Sequence, residues 1–370
     1  MFSSHFKNGN SDYRKLLRRI TFHHKLTSII AANLKYISSK NNNEQQYIIL
    51  KTIADYCNKR RKPEWKKDKS IIKDILYARY YYAIETKEYY LFGLDHSKDI
   101  KKKDYVGWYE LNGYYNELNR IGKPDIFNNK EKTYETFGQY YKRECILISS
   151  DERQVPFKSF FTKHGIGVLK PVNDYGGHGI IFVSAFDEAS VTQLWEKYKN
   201  DCPFMLEEII VQAPYMSRIY PGSVNTVRYN TFYHEGKLTR LQAVFRVGRG
   251  GSKVDNATSG GIYALIDTET GRILGPARSD LTETFFRHPD TGVQFDDLYL
   301  PSWDELNSLV EELVRIVPEQ KQIGFDFAYT DQGWVMVEGN TKPALQSYDF
   351  DHGMRSLLRD TFGQIIRTWG

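Results

Sequence analysis

The spacing of apolar positions changes along the chain. Up to about Asn129 they recur at helical intervals, as in "DYRKLLRRITFHHKLTSIIAANLKYI" and "SIIKDILYARYYYAIE", which predicts helices. From about Val155 short β-rich runs take over, separated by glycine-containing turns. "GIGVLKP", "GIIFVSA", "TVRYNTFYH", "KLTRLQAVFRV", "GIYALID" and "GRILGPA" read as strands. "YALID" and "RILG" flank "TETG" and predict a hairpin. Asp187 opens a helix in "DEASVTQLWEKYK". In "PSWDELNSLVEELVRIVP", Ser302 and Glu305 have capping-box spacing and Pro318 ends the helix. Two last strands, "IGFDFAYT" and "GWVMVEGN", join through Asp331-Gln332-Gly333. The pattern is that of an α+β protein with a mostly helical N-terminal part.

Composition narrows the class. With 370 residues, 41% of them apolar and 26% charged, the chain suits a soluble globular protein of two or three packed subdomains. A net charge of +5 is less than a dedicated nucleic-acid binder usually carries, so no nucleic-acid partner is expected. The basic clusters "NKRRKPEWKKDK" and "KDIKKKDY" read either as solvated faces and loops or as attraction to an anionic membrane or carrier lipid. Cys57, Cys145 and Cys202 lie far apart with no CxxC pair, as reduced thiols of a cytosolic protein do. The polar start lacks a signal-peptide core, and no apolar run reaches the roughly 18 residues of a membrane span. A cytoplasmic location follows as the expectation.

Four stretches carry candidate chemistry. In "GVLKPVNDYGGHGIIFV" a lone Lys170 closes one strand, and Gly176, Gly177 and Gly179 precede the next. The Walker pattern GxxxxGK(S/T) and the Rossmann GxGxxG are both absent. An ordinary β-turn accounts for the stretch; so does a loop whose N–H groups face phosphates, with Lys170 as a point charge. In the final hairpin, alternation puts Asp326 on the face opposite Phe325 and Phe327, while Glu338 and Asn340 share a face. A two-residue turn makes Asp326 and Glu338 near neighbours, and one bulged residue would set them directly opposite. Opposed carboxylates repel unless a hard cation such as Mg²⁺ lies between them; the plain alternative is a solvent-facing hairpin with incidental acids. Arg228, Arg246 and Arg249 lie on strand-like runs before a glycine-rich loop. They fit forked bonds to a phosphoryl group or carboxylate, or plain surface positions. "PFMLEEIIVQAP" suits a linker pairing its backbone with adenine, without being specific for it.

Taken in order, these elements resemble the ATP-grasp superfamily. The wording "SVNTVRYNTF … FRVG … VDNATSGGIYALIDTETG … IGFDFAYT … VEGNTKPAL" is most similar to the sugar-transfer-associated ATP-grasp proteins of bacterial polysaccharide gene clusters. The resemblance spans roughly Lys132 to Leu345. It implies an ATP-grasp fold in which two α+β subdomains, 130–206 and 207–370, grip ATP behind a helical, basic region 1–129. It implies that Lys132 and Lys170 bind ATP phosphates and that Gly176, Gly177, His178 and Gly179 form a lid. Glu207, Glu208, Ile209 and Ile210 would line adenine, with Gln212 as a ribose candidate. Asp326, Glu338 and Asn340 would hold Mg²⁺, with Mn²⁺ an allowed substitute. Arg228, Arg246 and Arg249 would face the reacting carboxylate and the γ-phosphate, positioned with help from Asn256. The implied activity is ligation of a small-molecule carboxylate to an amine through an acyl phosphate, on a sugar, a nucleotide sugar or a related precursor. A kinase acting on a sugar or alcohol and a non-catalytic nucleotide-binding scaffold are the alternatives.

Overall fold

The computed structural model describes residues 69–94, 99–172, 179–279, 283–345 and 353–366. The first predicted helical segment, most of the first basic cluster, Cys57, and Gly176, Gly177 and His178 lie outside the described residues. The chain divides into two compact units, one drawn from Met1–Asn116 and Ala344–Gly370, the other being Glu117–Pro343.

Described residues of the first unit are helical: α1 (Lys69–Tyr82), α2 (Thr86–Leu91), α3 (Asp99–Asp104), the start of α4 (Trp108–Ile121), and the C-terminal helix Arg355–Phe362. Ile75, Leu76, Tyr89, Phe92 and Leu111 are buried here. Lys102, from the second basic cluster, is buried too. Its ammonium donates to both oxygens of Asp74 at 2.6 and 2.7 Å, so this lysine is committed inside the unit rather than to a solvated or membrane-facing surface. Arg355 forks onto Glu110 at 2.5 and 2.7 Å.

The second unit opens with α5 (Pro124–Asn128) and α6 (Lys130–Tyr141). A four-stranded antiparallel sheet follows, with β1 (Cys145–Ile148), β2 (Ile166–Pro171), β3 (Ile181–Ser184) and β4 (Phe204–Glu207) in the order β1-β4-β2-β3. It packs on α7 (Gln154–His164) and α8 (Glu188–Tyr198), burying Phe157, Phe160, Phe161 and Trp195 against Leu169, Val183 and Leu206. Asp187 caps α8 as its sequence predicts, accepting from the Ser190 amide at 2.7 Å in a reciprocal capping box.

After the short α9 (Pro214–Ile219) comes a larger sheet of seven strands: β5 (Thr226–His234), β6 (Lys237–Val247), β7 (Ile262–Ile266), β8 (Ile273–Ser279), β9 (Thr284–Phe285), β10 (Gln322–Thr330) and β11 (Gly333–Asn340). Their order is β11-β10-β5-β6-β7-β8-β9, and β7 and β8 form the predicted hairpin. One face is apolar. Val227, Tyr229, Phe325 and Phe327 share a core with Leu306, Val310, Leu313 and Val314 of α10 (Trp303–Ile316). Alternation turns Arg228 and Asp326 to the other face. The capping box expected at Ser302 does not form. Ser302 adopts a left-handed conformation (φ 46°), and its hydroxyl lies 3.2 Å from the Tyr329 hydroxyl instead of bonding the first turn.

Candidate active site

The β10–β11 pairing carries a bulge. Asp326 pairs with Glu338 and Phe327 with Met336, leaving Val337 as the extra residue. Two-on-one pairing restores the opposition that a plain two-residue turn would have offset. On its other side Asp326 pairs with Arg228 of β5, and Thr226 pairs with Arg246 of β6. Glu338, Asp326 and Arg228 thus occupy one rung across three strands.

Asp326 is fully buried. Arg228 engages both its oxygens, Nε on Oδ1 and Nη2 on Oδ2 at 2.9 Å, and Arg246 Nη2 lies 3.2 Å from Oδ2. Arg246 also donates to the Thr226 hydroxyl at 3.0 Å and to Asp255 at 3.4 Å. Burial alone would raise the Asp326 carboxyl; the two guanidinium groups outweigh it and hold the carboxyl below its ordinary range. Glu338 differs. Its side chain is 43% exposed and its nearest guanidinium nitrogen, on Arg228, is 3.9 Å away. Partial burial, then the charge of Asp326, push its carboxyl upward. Asn340 donates its amide N–H to Glu338 Oε1 at 3.2 Å, which leaves the amide oxygen as a further donor atom. Asp326 is already paired with Arg228 and Arg246, whereas Glu338 has no guanidinium closer than 3.9 Å; its carboxylate and the Asn340 amide oxygen are the donor types that suit a hard divalent cation. Among the described residues no group of three or more His, Cys, Asp or Glu is arranged to hold a metal ion, so any site on this rung would draw on the Asn340 amide oxygen as well.

A cleft separates this rung from the four-stranded sheet. Lys130, Lys170 and Phe182 line one side, with Glu207, Glu208, Ile209 and Ile210; Thr226, Arg246, Asn256, Asp326 and Glu338 line the other. Lys170 Nζ lies 2.8 Å from Glu207 Oε2. Arg143 donates to the same oxygen from Nη2 at 2.8 Å and Nε at 3.2 Å. Burial opposes ionisation of Glu207, but Lys170 and Arg143 overcome it and hold the carboxyl at about 2. The Glu208 carboxylate accepts from the Glu144 amide at 3.2 Å. Gly179, at the near end of the glycine loop, has φ +71°, where glycine is favoured.

Three sequence candidates are not brought to the cleft. Lys132 is exposed, and its amide joins the Asn129 cap of α6 at 3.1 Å. Lys130 lines the cleft instead, with Nζ donating to the Pro171 carbonyl at 2.8 Å. Two helical positions are about 200° apart around the axis, so only one of these lysines can face inward. Gln212 spends its amide on its own loop, donating to the Tyr220 and Ser223 carbonyls at 2.9 and 2.8 Å and accepting from Asn225 N at 2.9 Å. Arg249 bonds Glu283 and the Gly260 carbonyl, both at 2.8 Å, over the Phe285 ring.

Sequence reasoning also missed Lys130, Arg143, Thr226, Asp255 and Lys253. Lys130 shares the helical face of buried Thr133, Phe137 and Tyr141, a periodicity that would have selected it. Thr226 stands two residues before Arg228, hence on the same strand face. Asp255 accepts from the Thr226 amide at 3.1 Å, and Lys253 lines the cleft beside it. Arg143 has no local signal.

No curated protein matches the sequence. Solved structures similar to the chain include D-alanyl-alanine synthetase A from Vibrio cholerae, at 14% identity and TM-score 0.41 over 65% of each chain. D-alanine-D-alanine ligase from Helicobacter pylori matches at 13% identity and TM-score 0.39, over 65% of this chain and 61% of the other. An L-amino acid ligase from Bacillus licheniformis matches at 12% identity and TM-score 0.37, over 64% and 48%. In each case the match spans less than two thirds of the other protein. The family model described as sugar-transfer associated ATP-grasp matches residues 111–362, well over half of the chain. By that match, and with an α+β layout of helical N-terminal part, small sheet, cleft and large sheet, this chain belongs to the sugar-transfer associated ATP-grasp family.

Proposed function

We propose that this protein is an ATP- and Mg²⁺-dependent, ADP-forming ligase that joins a carboxylate to an amine. One observation carries the reading: a cleft with Lys130 and Lys170 on one wall faces a rung of opposed carboxylates, Asp326 and Glu338, flanked by Arg228 and Arg246. Cations on one side and hard oxygen donors on the other are what a metal–polyphosphate needs. Lys130 and Lys170 would hold phosphates. Ile209 and Ile210 would line the base. Glu338 and Asn340, backed by Asp326, would hold Mg²⁺, which supplies charge neutralisation at the phosphates. Arg246, which lines the cleft, would offset charge on the transferring phosphoryl group, a step that mostly needs positioning and electrostatics.

In the reaction a substrate carboxylate oxygen attacks the γ-phosphorus and ADP leaves. The amine then attacks the acyl carbonyl, loses a proton, and expels inorganic phosphate. The family's association with sugar transfer favours an acid or amine borne on a sugar, a nucleotide sugar or a related polysaccharide precursor, and ATP as co-substrate favours the cytoplasm. No helix among the described residues is long and apolar enough to cross a membrane.

The test is a screen of acid and amine pairs for ADP and phosphate release, with hydroxylamine added to trap the acyl phosphate as a hydroxamate. AMP and pyrophosphate as products would overturn the mechanism, and phosphate retained on a hydroxyl would make the enzyme a kinase. Glu338→Gln should abolish stabilisation by Mg·ATP, which at about 100 times its dissociation constant adds about 2.7 kcal/mol to the wild type.

A further inference from the structure

Arg143 links two places that lie far apart in sequence. It follows Lys142, the left-handed residue that closes α6, and precedes β1. Its side chain is only 4% exposed. Nε and Nη2 donate to Glu207 at the end of β4. Nη1 donates to the Met336 carbonyl at 2.7 Å and Nη2 to the Val337 carbonyl at 3.4 Å. The Tyr141 ring stacks beneath, 4.4 Å from the guanidinium carbon.

Met336 and Val337 are the residues of the bulge. A bulge interrupts the ladder where it occurs, and here one guanidinium supplies donors to both carbonyls. The bulge has chemical consequences. Were β11 to relax into regular pairing, Val337 would stand opposite Asp326 and Glu338 would turn to the other face of the sheet. The same guanidinium fixes Glu207, whose Oε2 also receives Lys170.

We infer that Arg143 is a positioning residue: by gripping Glu207 and the Met336–Val337 bulge together, it sets Glu338 for the divalent cation and Lys170 for the phosphates. The inference rests on the ligase reading above. Arginine is required because a fork spans carboxylate and carbonyls at once, whereas a lysine ammonium is a point donor.

Two measurements on Arg143→Lys test it. One is ATP affinity by calorimetry, with chelator and with Mg²⁺. The other is amide hydrogen exchange at 336–339 in ligand-free protein. The lysine keeps a charge beside Glu207, so metal-free ATP affinity should change little. The tightening by Mg²⁺ should fall by about tenfold or more, the usual cost of removing a group that orients metal ligands, and the bulge amides should exchange faster. A folded variant with full Mg²⁺ tightening, or with unchanged exchange at the bulge, overturns the inference. If Arg143→Lys does not fold, the double variant Arg143→Met/Glu207→Gln removes one buried charge of each sign; its metal-free affinity shifts because Lys170 loses its carboxylate partner, so only the Mg²⁺ tightening and the exchange at 336–339 are read, in the same way. Failure of the double variant to fold as well would assign Arg143 to stability alone and overturn the inference. Wild-type protein that binds no Mg·ATP would sink the ligase reading instead, while hydrogen exchange would still judge the hold of Arg143 on the bulge.

Discussion

Glu207→Gln keeps the side chain's size and removes one negative charge from between Lys170 and Arg143. The Glu207 side chain is 5% exposed, so solvent screens this triad little. Its carboxyl sits at about 2 against an ordinary 4.5, which at about 1.36 kcal/mol per pH unit is on the order of 3 kcal/mol favouring the charged form. Because the folded value is depressed, that stability is present above about pH 4.5 and is lost as pH falls towards about 2. The amide cannot ionise, and it leaves two cations facing a neutral group. Breaking a buried ion pair from one side costs about 3–5 kcal/mol, and the Lys170 end, 15% exposed, favours the lower figure. Urea denaturation should therefore put the variant about 3 kcal/mol below wild type near neutral pH, with the gap narrowing by about 2 kcal/mol near pH 3, where the folded carboxylate is still charged and the unfolded one is not. Mg·ATP should rescue the variant more than it stabilises wild type, since phosphates return negative charge to Lys170. A neutral-pH difference under about 1 kcal/mol, or one that does not narrow on acidification, would refute the argument that a single carboxylate neutralises both cations.

Phe182 is 55% exposed and lines the cleft. Phe182→Ala should leave stability within about 0.5 kcal/mol and weaken ATP and ADP alike by about tenfold, the lower range of base–aromatic stacking; unchanged nucleotide affinity would remove the base from this wall. Gly324→Ala places a Cβ 2.7 Å from Asn230 Oδ1, 2.8 Å from Pro343 Cβ and 3.1 Å from Arg228 Cδ. It should cost about 1–3 kcal/mol in urea denaturation and loosen Arg228 from Asp326, so a variant as stable as wild type would contradict the packing at that rung.

Much of the large sheet was legible because its strands alternate cleanly. β5, β6 and β11 begin and end where the pattern places them, and counting residues through the turn made Asp326 and Glu338 near neighbours, with direct opposition depending on one bulged residue that only the pairing reveals. What local pattern does not encode is choice among equivalent positions. Lys130 and Lys132 differ only in which helical face packs, and reading α6 for its buried stripe resolves them. Ser302 has the residue type of a cap, but its backbone is left-handed and its hydroxyl meets that of Tyr329, 27 residues away on β10, information that no four-residue window contains. Gln212 and Arg249 have the right chemistry for a ligand, yet each is consumed by a loop of its own unit. Arg143 is the extreme case, because its partners are 64 and 193 residues away.

The place of Cys145 gives the protein a built-in chemical clock. It sits on β1, the edge of the small sheet, directly opposite Glu207 of β4. Its thiol is buried, and desolvation, then the Glu207 charge, push its ionisation far above the ordinary range. Only thiolate reacts with alkylating reagents at an appreciable rate, so labelling must wait until β1 peels away from β4. Half-buried Cys202, the other thiol among the described residues, serves as an internal reference in peptide mapping. The ratio of their labelling rates measures, without any introduced probe, how often the wall of the cleft that carries Glu207 comes undone, and a nucleotide lodged against that wall should slow the clock.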